Sequence, residues 1–324
     1  MGRRGEFDII AQSLAALSDA EQGLGLTDDA ALFEPTPGHA AVLSTDTLVA
    51  GVHFLPDDSP RDIARKALRV NLSDIAAMGA VPKGYLLNLS LPDDVDDTWL
   101  DAFVAGLAAD QRLFGVTLLG GDTVRTSGPF TVSVTAVGEI RSGRAMKRAG
   151  ASIGDVVLVT GTIGDAVIGL RVLTKKAELD TANAKFVLDR YRLPQPRISI
   201  GPYLVGLASA AIDVSDGLIA DLGHICDTSS VAAIISAAAV PFSPAGRAAI
   251  DAGQLTVSEA VSGGDDYELL FCAPREACNA LSRLSAILDV EITEIGEITA
   301  GAGVELIDDN GEAMVISRPG YTHF

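Results

Sequence analysis

Short β-branched runs alternate with helical patterns along nearly the whole chain, and this alternation restricts the fold to the α/β or α+β class. Val42-Leu43-Ser44 reads as a strand end. Ser59-Pro60 supplies an N-cap and a first helical position for a helix reaching about Met78. Tyr85 to Leu91 predicts a strand stopped by Pro92, and Asp96 to Phe114 a helix with Trp99, Phe103 and Leu107 on one face. Val116 to Leu119 and Phe130 to Ile140 predict further strands, and the Gly-, Arg-, Lys- and Ser-rich stretch from Arg141 to Gly154 is a candidate hinge. A strand at Val156 to Thr160, helices to about Leu207 and a strand at Ala211 to Val214 follow. Strands near Glu268 to Cys272, Glu291 to Ile298 and Val304 to Ile307 alternate with helices. At about 100–200 residues per domain, 324 residues imply two domains, divided here into 1–145 and 146–324.

Onto this frame the sequence sets six short acidic segments. They are Thr27-Asp28-Asp29, Ser44-Thr45-Asp46-Thr47, Asn71-Leu72-Ser73-Asp74, Gly120-Gly121-Asp122-Thr123, Asp213-Val214-Ser215-Asp216-Gly217 and Ser262-Gly263-Gly264-Asp265-Asp266-Tyr267-Glu268. Asp46 and Asp122 are expected to follow apolar strands directly and Asp213 to close one, so their carboxylates should emerge at strand ends. Like charges converging there repel one another unless cations intervene. Hard divalent ions such as Mg²⁺ take carboxylate, hydroxyl and water oxygens and work with substrate phosphates. No His/Cys spacing suggests a zinc site. Asp beside Gly or Ser is equally the chemistry of turns and caps, and Asp216-Gly217 before a helical run is a fair N-cap.

Charge narrows the partners. Twenty-four basic against 43 acidic residues leave a net −19, a field that repels a phosphate backbone and argues against nucleic acid. A phosphate ligand in so acidic a chain needs bridging cations, and Arg148 could add a direct contact. Gly120-Gly121 and Gly263-Gly264 let backbone approach phosphate closely, although no Walker A spacing and no full Gly-x-Gly-x-x-Gly occurs. Cys226, Cys272 and Cys278 have no metal-ligand spacing, which fits a reducing cytoplasm. The opening Met1 to Asp8 turns acidic before any apolar run, so no signal peptide is expected, and Glu6 argues against myristoylation. Val231 to Val240, the longest apolar stretch, is too short to span a bilayer.

Taken together these segments resemble the thiamine-monophosphate kinases, of the superfamily that includes aminoimidazole-ribotide synthetase. The resemblance runs from Gly5-Glu6-Phe7 through Ser44 to Phe54, Lys66-Ala67-Leu68, Asn71 to Ala80, Gly120 to Thr123, Asp213 to Leu218 and Ser262 to Leu269. It ends in Gly320-Tyr321-Thr322-His323-Phe324. The resemblance implies phosphorylation of thiamine monophosphate by ATP with several Mg²⁺ ions, the last step in making thiamine diphosphate. It further implies a homodimer whose N-terminal domains form a β-barrel, a C-terminal α/β domain, and ATP in a cleft between the domains. Carried over residue by residue, it makes Asp29, Ser44, Thr45, Asp46, Asp74, Asp122, Asp213 and Asp216 the Mg²⁺ ligands. Gly121, Asp122, Arg148 and Ser215 would meet ATP, and His53, Asp265 and Tyr321 the thiamine phosphate. Asp46, Asp74, Asp122 and Asp213 would hold the catalytic cations. Thr27 stands where the family usually has Gly, which predicts a differently shaped loop, and Asp265 stands where it usually has Glu.

The acceptor oxygen is already anionic at neutral pH, so direct in-line transfer needs no dedicated base. Positioning and cationic charge would supply most of the catalysis. Two alternatives stay open at this point: another superfamily enzyme that activates an oxygen atom with ATP, and a catalytically silent nucleotide or thiamine-phosphate sensor.

Overall fold

A computed structural model describes residues 4–322, apart from the side chain of Glu6. Met1 to Arg3 and the closing His323 and Phe324 of the terminal motif lie outside the described residues. The chain divides into two compact units: residues up to 75 with 80–143, and residues 76–79 with those from 144 on.

The first unit opens with a single turn, α1 (Glu6–Ile9), and then β1 (His39–Val49), α2 (Pro60–Ala77), β2 (Val81–Leu91), α3 (Asp97–Phe114), β3 (Thr117–Arg125) and β4 (Thr131–Arg141). Local signals explain the helices. Ser59 Oγ accepts from the Asp62 N–H at the start of α2, and Asp96 caps α3 through the Trp99 N–H. Gly115, at φ 66°, ends α3 in the left-handed conformation that glycine adopts cheaply. The sheet order is β1-β4-β2-β3, antiparallel except for the β2/β3 pair. Two strands are longer than the apolar runs suggest. β1 and β3 continue through Asp46 and Asp122, so neither residue follows its strand; cross-strand pairing carries the extended backbone past the apolar segment. β2 starts at Val81 because Pro82 falls where the register shifts, a position that tolerates a missing N–H. Trp99, Phe103 and Phe130 pack in contact beneath this sheet, with Trp99 stacked on Phe103 at 5.4 Å. Asp110, fully buried on α3, pairs with Arg65 and Arg69 of α2 at 2.9 and 2.6 Å.

The second unit contains β5 (Val156–Thr160), α4 (Asp165–Leu173), α5 (Thr181–Arg192), α6 (Gly201–Leu204), β6 (Ala210–Asp213), α7 (Leu218–Ser229) and β7 (Ala232–Ser236). It continues with α8 (Pro244–Asp251), α9 (Val257–Ser262), β8 (Leu269–Ala273), α10 (Cys278–Leu288), β9 (Ile292–Thr299) and β10 (Gly303–Ile307). The sheet order is β10-β7-β9-β5-β8-β6, antiparallel except for β10/β7. β5, β6 and β8 are buried along their whole length, as expected of strands with apolar cover on both faces. β7 was not anticipated: within the apolar Val231 to Val240 run its alternation of buried and half-buried residues is too brief to stand out. Both sheets are mixed, and among the described residues the first is open, with β1 and β3 at its edges. Among the described residues no helix is long and apolar enough to cross a membrane.

Candidate functional site

In the first unit, strand alternation divides the candidate ligands between the two faces of the sheet. Ser44 and Asp46 share the face of the buried Leu48, against α2, whereas Thr45 and Thr47 are exposed on the other. Helical spacing brings Asn71 and Asp74 of α2 to the inner pair. Ser44 Oγ donates to Asp74 Oδ2 at 2.5 Å, and the Asp46 N–H donates to Asn71 Oδ1 at 2.8 Å. Burial, and then the negative charge of Asp74, push the Asp46 carboxyl up to about 6. This is the crowding that a divalent cation relieves, and every donor is a hard oxygen, so the residues fit Mg²⁺.

Thr45 does not join this group. Its hydroxyl donates to the Val134 carbonyl at 3.1 Å and accepts from Thr135 Oγ1 at 3.0 Å. Asp122 pairs in register with Asn88 and stands exposed on the same open face. It lies three strands from β1, roughly 14 Å along the sheet at ~4.8 Å per strand. Asp122, Gly121 and Asp29 line one cavity of about 610 Å³ together with Asp28, Asn88 and Phe33. Gly121 has φ 152°, and a Cβ there would stand 1.8 Å from the Leu87 carbonyl oxygen, so only glycine fits this approach of β3 to β2. Thr27, beside Asp28, has φ −107° and therefore no strain; the left-handed conformations fall on Leu24, Gly25 and Leu26 instead.

His53 follows β1 in a tight turn, where its Nδ1 accepts from the Val49 N–H at 3.0 Å. That bond places the proton of the neutral ring on Nε2.

In the second unit Asp213 ends β6, buried, and the segment 214–217 leads into α7. Asp216 is not the N-cap. Gly217 takes that position at φ 130° without a side-chain bond. Asp221, one turn into α7, reaches back instead, and its Oδ2 accepts from the N–H groups of Ser215, Asp216 and Gly217 at 3.0, 3.1 and 3.1 Å. Burial and the Asp216 charge still push the Asp221 carboxyl up to about 7, outweighing these three donors. Asp216, Asp221 and His224 each bring one possible ligand atom within 4.8 Å of the others.

Asp265 and Tyr321 both hang on this segment: the Asp265 N–H donates to the Ser215 carbonyl at 2.9 Å, and the Tyr321 N–H to the Asp216 carbonyl at 3.0 Å. Asp265 has φ 71° and Tyr267 φ 52°, conformations that side-chain-bearing residues adopt only when their surroundings insist. The insistence comes from two buried acids in alternate positions. Asp266 holds the N–H groups of Gly164 and Ala166 at the start of α4. Glu268 accepts from Thr160, Arg190 and Arg197 at 2.6, 2.7 and 2.5 Å. Arg148 is exposed on the segment joining β4 to β5.

Several of these residues escaped sequence reasoning. Asn71, Asp266 and Glu268 lie inside motifs quoted for their neighbours, and nothing local distinguishes a buried acid from a ligand. Asp221 had a usable signal, an acid in the first turn of a helix that begins at glycine.

Comparison with known proteins gives a consistent result. Residues 27–140 match the N-terminal domain and residues 152–309 the C-terminal domain of the family described as AIR synthase related protein. The thiamine-monophosphate kinase of Salmonella typhimurium is 44% identical over 99% of this chain and 98% of its own length. The crystal structure of thiamine-monophosphate kinase from Stenotrophomonas maltophilia K279a superposes with TM-score 0.85 at 40% identity, covering 97% of this chain and 99% of that one. AaThiL complexed with AMPPCP and TMP superposes with TM-score 0.80 at 32% identity, covering 99% and 97%.

Proposed function

This chain belongs to the AIR synthase-related family, among its thiamine-monophosphate kinases, and from that membership we propose a single in-line transfer of the ATP γ-phosphoryl group to the terminal phosphate oxygen of thiamine monophosphate. The chain phosphorylates thiamine monophosphate with ATP to give thiamine diphosphate. The observation that carries this reading is end-to-end likeness to a protein solved with AMPPCP, an ATP analogue, and TMP, which we read as thiamine monophosphate.

The chain's own task is to hold two polyanions against their repulsion. Asp46, Asp74 and Ser44 on the inner face, Asp29 and Asp122 at the cavity, and Asp213 and Asp216 in the second unit would hold Mg²⁺, with Thr45 contributing from the open face. Mg²⁺ bound there would supply the positive charge that screens the phosphates and stabilises charge developing on the transferring group. Gly121 meets ATP through its backbone at the cavity, Ser215 donates to it, and Arg148 forks onto phosphate oxygens. His53 offers its Nε2–H to the thiamine phosphate, Asp265 fixes that substrate by polar contact, and Tyr321 stacks on its cationic ring. No residue need act as base, because the acceptor oxygen is already an anion.

We place the enzyme in the cytoplasm, in keeping with its three free cysteines, as a homodimer whose first units close a barrel. Support comes from the open face of the first sheet, where Leu43 is 66% and Leu86 36% exposed beside Thr45 and Asp122. A second copy covering that face would also surround acids that one sheet alone keeps apart.

The test is turnover of thiamine monophosphate with ATP and Mg²⁺, with the diphosphate followed by chromatography. ADP released only with another acceptor would identify a different superfamily enzyme, and nucleotide binding without ADP a sensor. Asp122→Asn should lower turnover by about 100-fold or more at an unchanged melting temperature; near-normal turnover would overturn its assignment.

A further inference from the structure

We propose that Asp221 is a positioning residue for the thiamine-phosphate end of the site: it fixes the Ser215–Gly217 backbone, from which Asp265 and Tyr321 are both suspended. This rests on the reading above that Asp265 and Tyr321 touch the substrate.

The two contact residues are far apart in sequence, and neither belongs to a helix or strand. Each is located by a main-chain bond to one short segment, Asp265 through the Ser215 carbonyl and Tyr321 through the Asp216 carbonyl. Tyr267 joins the same segment through the Val214 carbonyl at 2.8 Å. Glycine at each neighbouring position lets the chains press in. A Cβ on Gly264 would stand 2.3 Å from the Ser215 oxygen, and one on Gly320 would stand 2.8 Å from the Asp216 oxygen. The segment's carbonyls are thus committed outward to two substrate-bearing chains, while its N–H groups point inward and converge on one oxygen.

That oxygen is Asp221 Oδ2, on a side chain only 2% exposed. The Asp221 N–H meanwhile donates to the Gly217 carbonyl at 2.9 Å, closing the first turn of α7. Side chain and main chain of one residue therefore tie the segment to the most regular element beside it. A peptide plane fixes one residue's C=O to the next residue's N–H, so rotating the plane of the Asp216 or the Gly217 N–H moves the carbonyl that holds Asp265 or Tyr321, and rotating that of the Ser215 N–H moves the Val214 carbonyl that holds Tyr267. Ser215 and Asp216, the proposed ATP and metal contacts, sit on the same planes. Asp221 accordingly sets the spacing between the nucleotide end and the thiamine end without touching either ligand.

The experiment is a double-mutant cycle in the full-length protein. Asp221→Ala should lower kcat/KM for thiamine monophosphate by about tenfold or more, the size expected when a buried set of hydrogen bonds is lost. In an Asp265→Ala/Tyr321→Ala background the same change should cost severalfold less, because two of the groups it positions are gone and only its hold on Ser215 and Asp216 remains. Equal losses in both backgrounds, or no loss in the first, would overturn the proposal. Asp221→Asn keeps an accepting oxygen and should fold where Asp221→Ala does not; it should show a smaller loss that shrinks in the same background. Amide hydrogen exchange gives an independent reading. Asp221→Asn should accelerate exchange at 215–217, Asp265 and Tyr321 together while β5 and β8 stay protected, and unchanged exchange at Asp265 and Tyr321 would refute the coupling. Should wild-type protein fail to turn over thiamine monophosphate, the substrate assignment falls, and the exchange measurement still decides the role of Asp221.

Discussion

Replacing Asp46 by Asn should stabilise the metal-free protein while disabling the enzyme. The Asp46 carboxyl is partly buried and faces Asp74, and burial first, then the Asp74 charge, raise it from 3.8 to about 6. A carboxyl that binds its proton more tightly in the fold than in the unfolded chain contributes stability that is complete below about pH 4 and lost as pH rises through about 6. Some two units at about 1.36 kcal/mol each set an upper figure of about 3 kcal/mol. Asp46 is only partly enclosed, and solvent screening brings this to about 2 kcal/mol. Asn carries no charge, so in chelator at about pH 7.5 the variant should melt roughly 5 °C above wild type, and at about pH 4 the two should coincide. Added Mg²⁺ should reverse the order, since it stabilises only the protein that binds it, and phosphoryl transfer by the variant should fall by orders of magnitude. Scanning calorimetry at both pH values, with and without Mg²⁺, measures each term. A variant less stable than wild type in chelator at neutral pH, or equally stabilised at acid pH, would refute the electrostatic argument.

Gly121→Ala drives a Cβ into the Leu87 carbonyl, so it should lower the melting temperature of the first unit and abolish turnover; an active variant of unchanged melting would show that β3 can move away from β2. Glu268→Gln leaves the buried Arg190 and the half-buried Arg197 without their shared counter-charge, and should cost the second unit about 3–5 kcal/mol by denaturant unfolding. A cost under about 1 kcal/mol would mean that the two guanidinium groups find other partners.

Part of this protein was legible in its residues. Ser59-Pro60 starts α2 where capping chemistry says it should, Pro92 directly follows β2, and the long motifs around Asp46 and Asp74 carry the family. These signals are local: a cap, a breaker or an alternation is complete within a few residues. The alternation of β1 even implies that Ser44 and Asp46 part company with Thr45, although the run of three oxygen-bearing residues invites reading them as one set. Only the tertiary structure decided which acids meet. Ser44 and Asp74 are thirty positions apart and joined because α2 lies against β1, whereas Asp122 stands on β3, with two strands between it and β1, and on the other face of the sheet. Nor could the sequence tell Asp213 and Asp216 from Asp221, Asp266 and Glu268, since every one is an acid near a glycine or a strand end. Hydrogen-bond partners mark Asp266 and Glu268 as braces, and those partners are distant chain brought close rather than neighbours in the sequence.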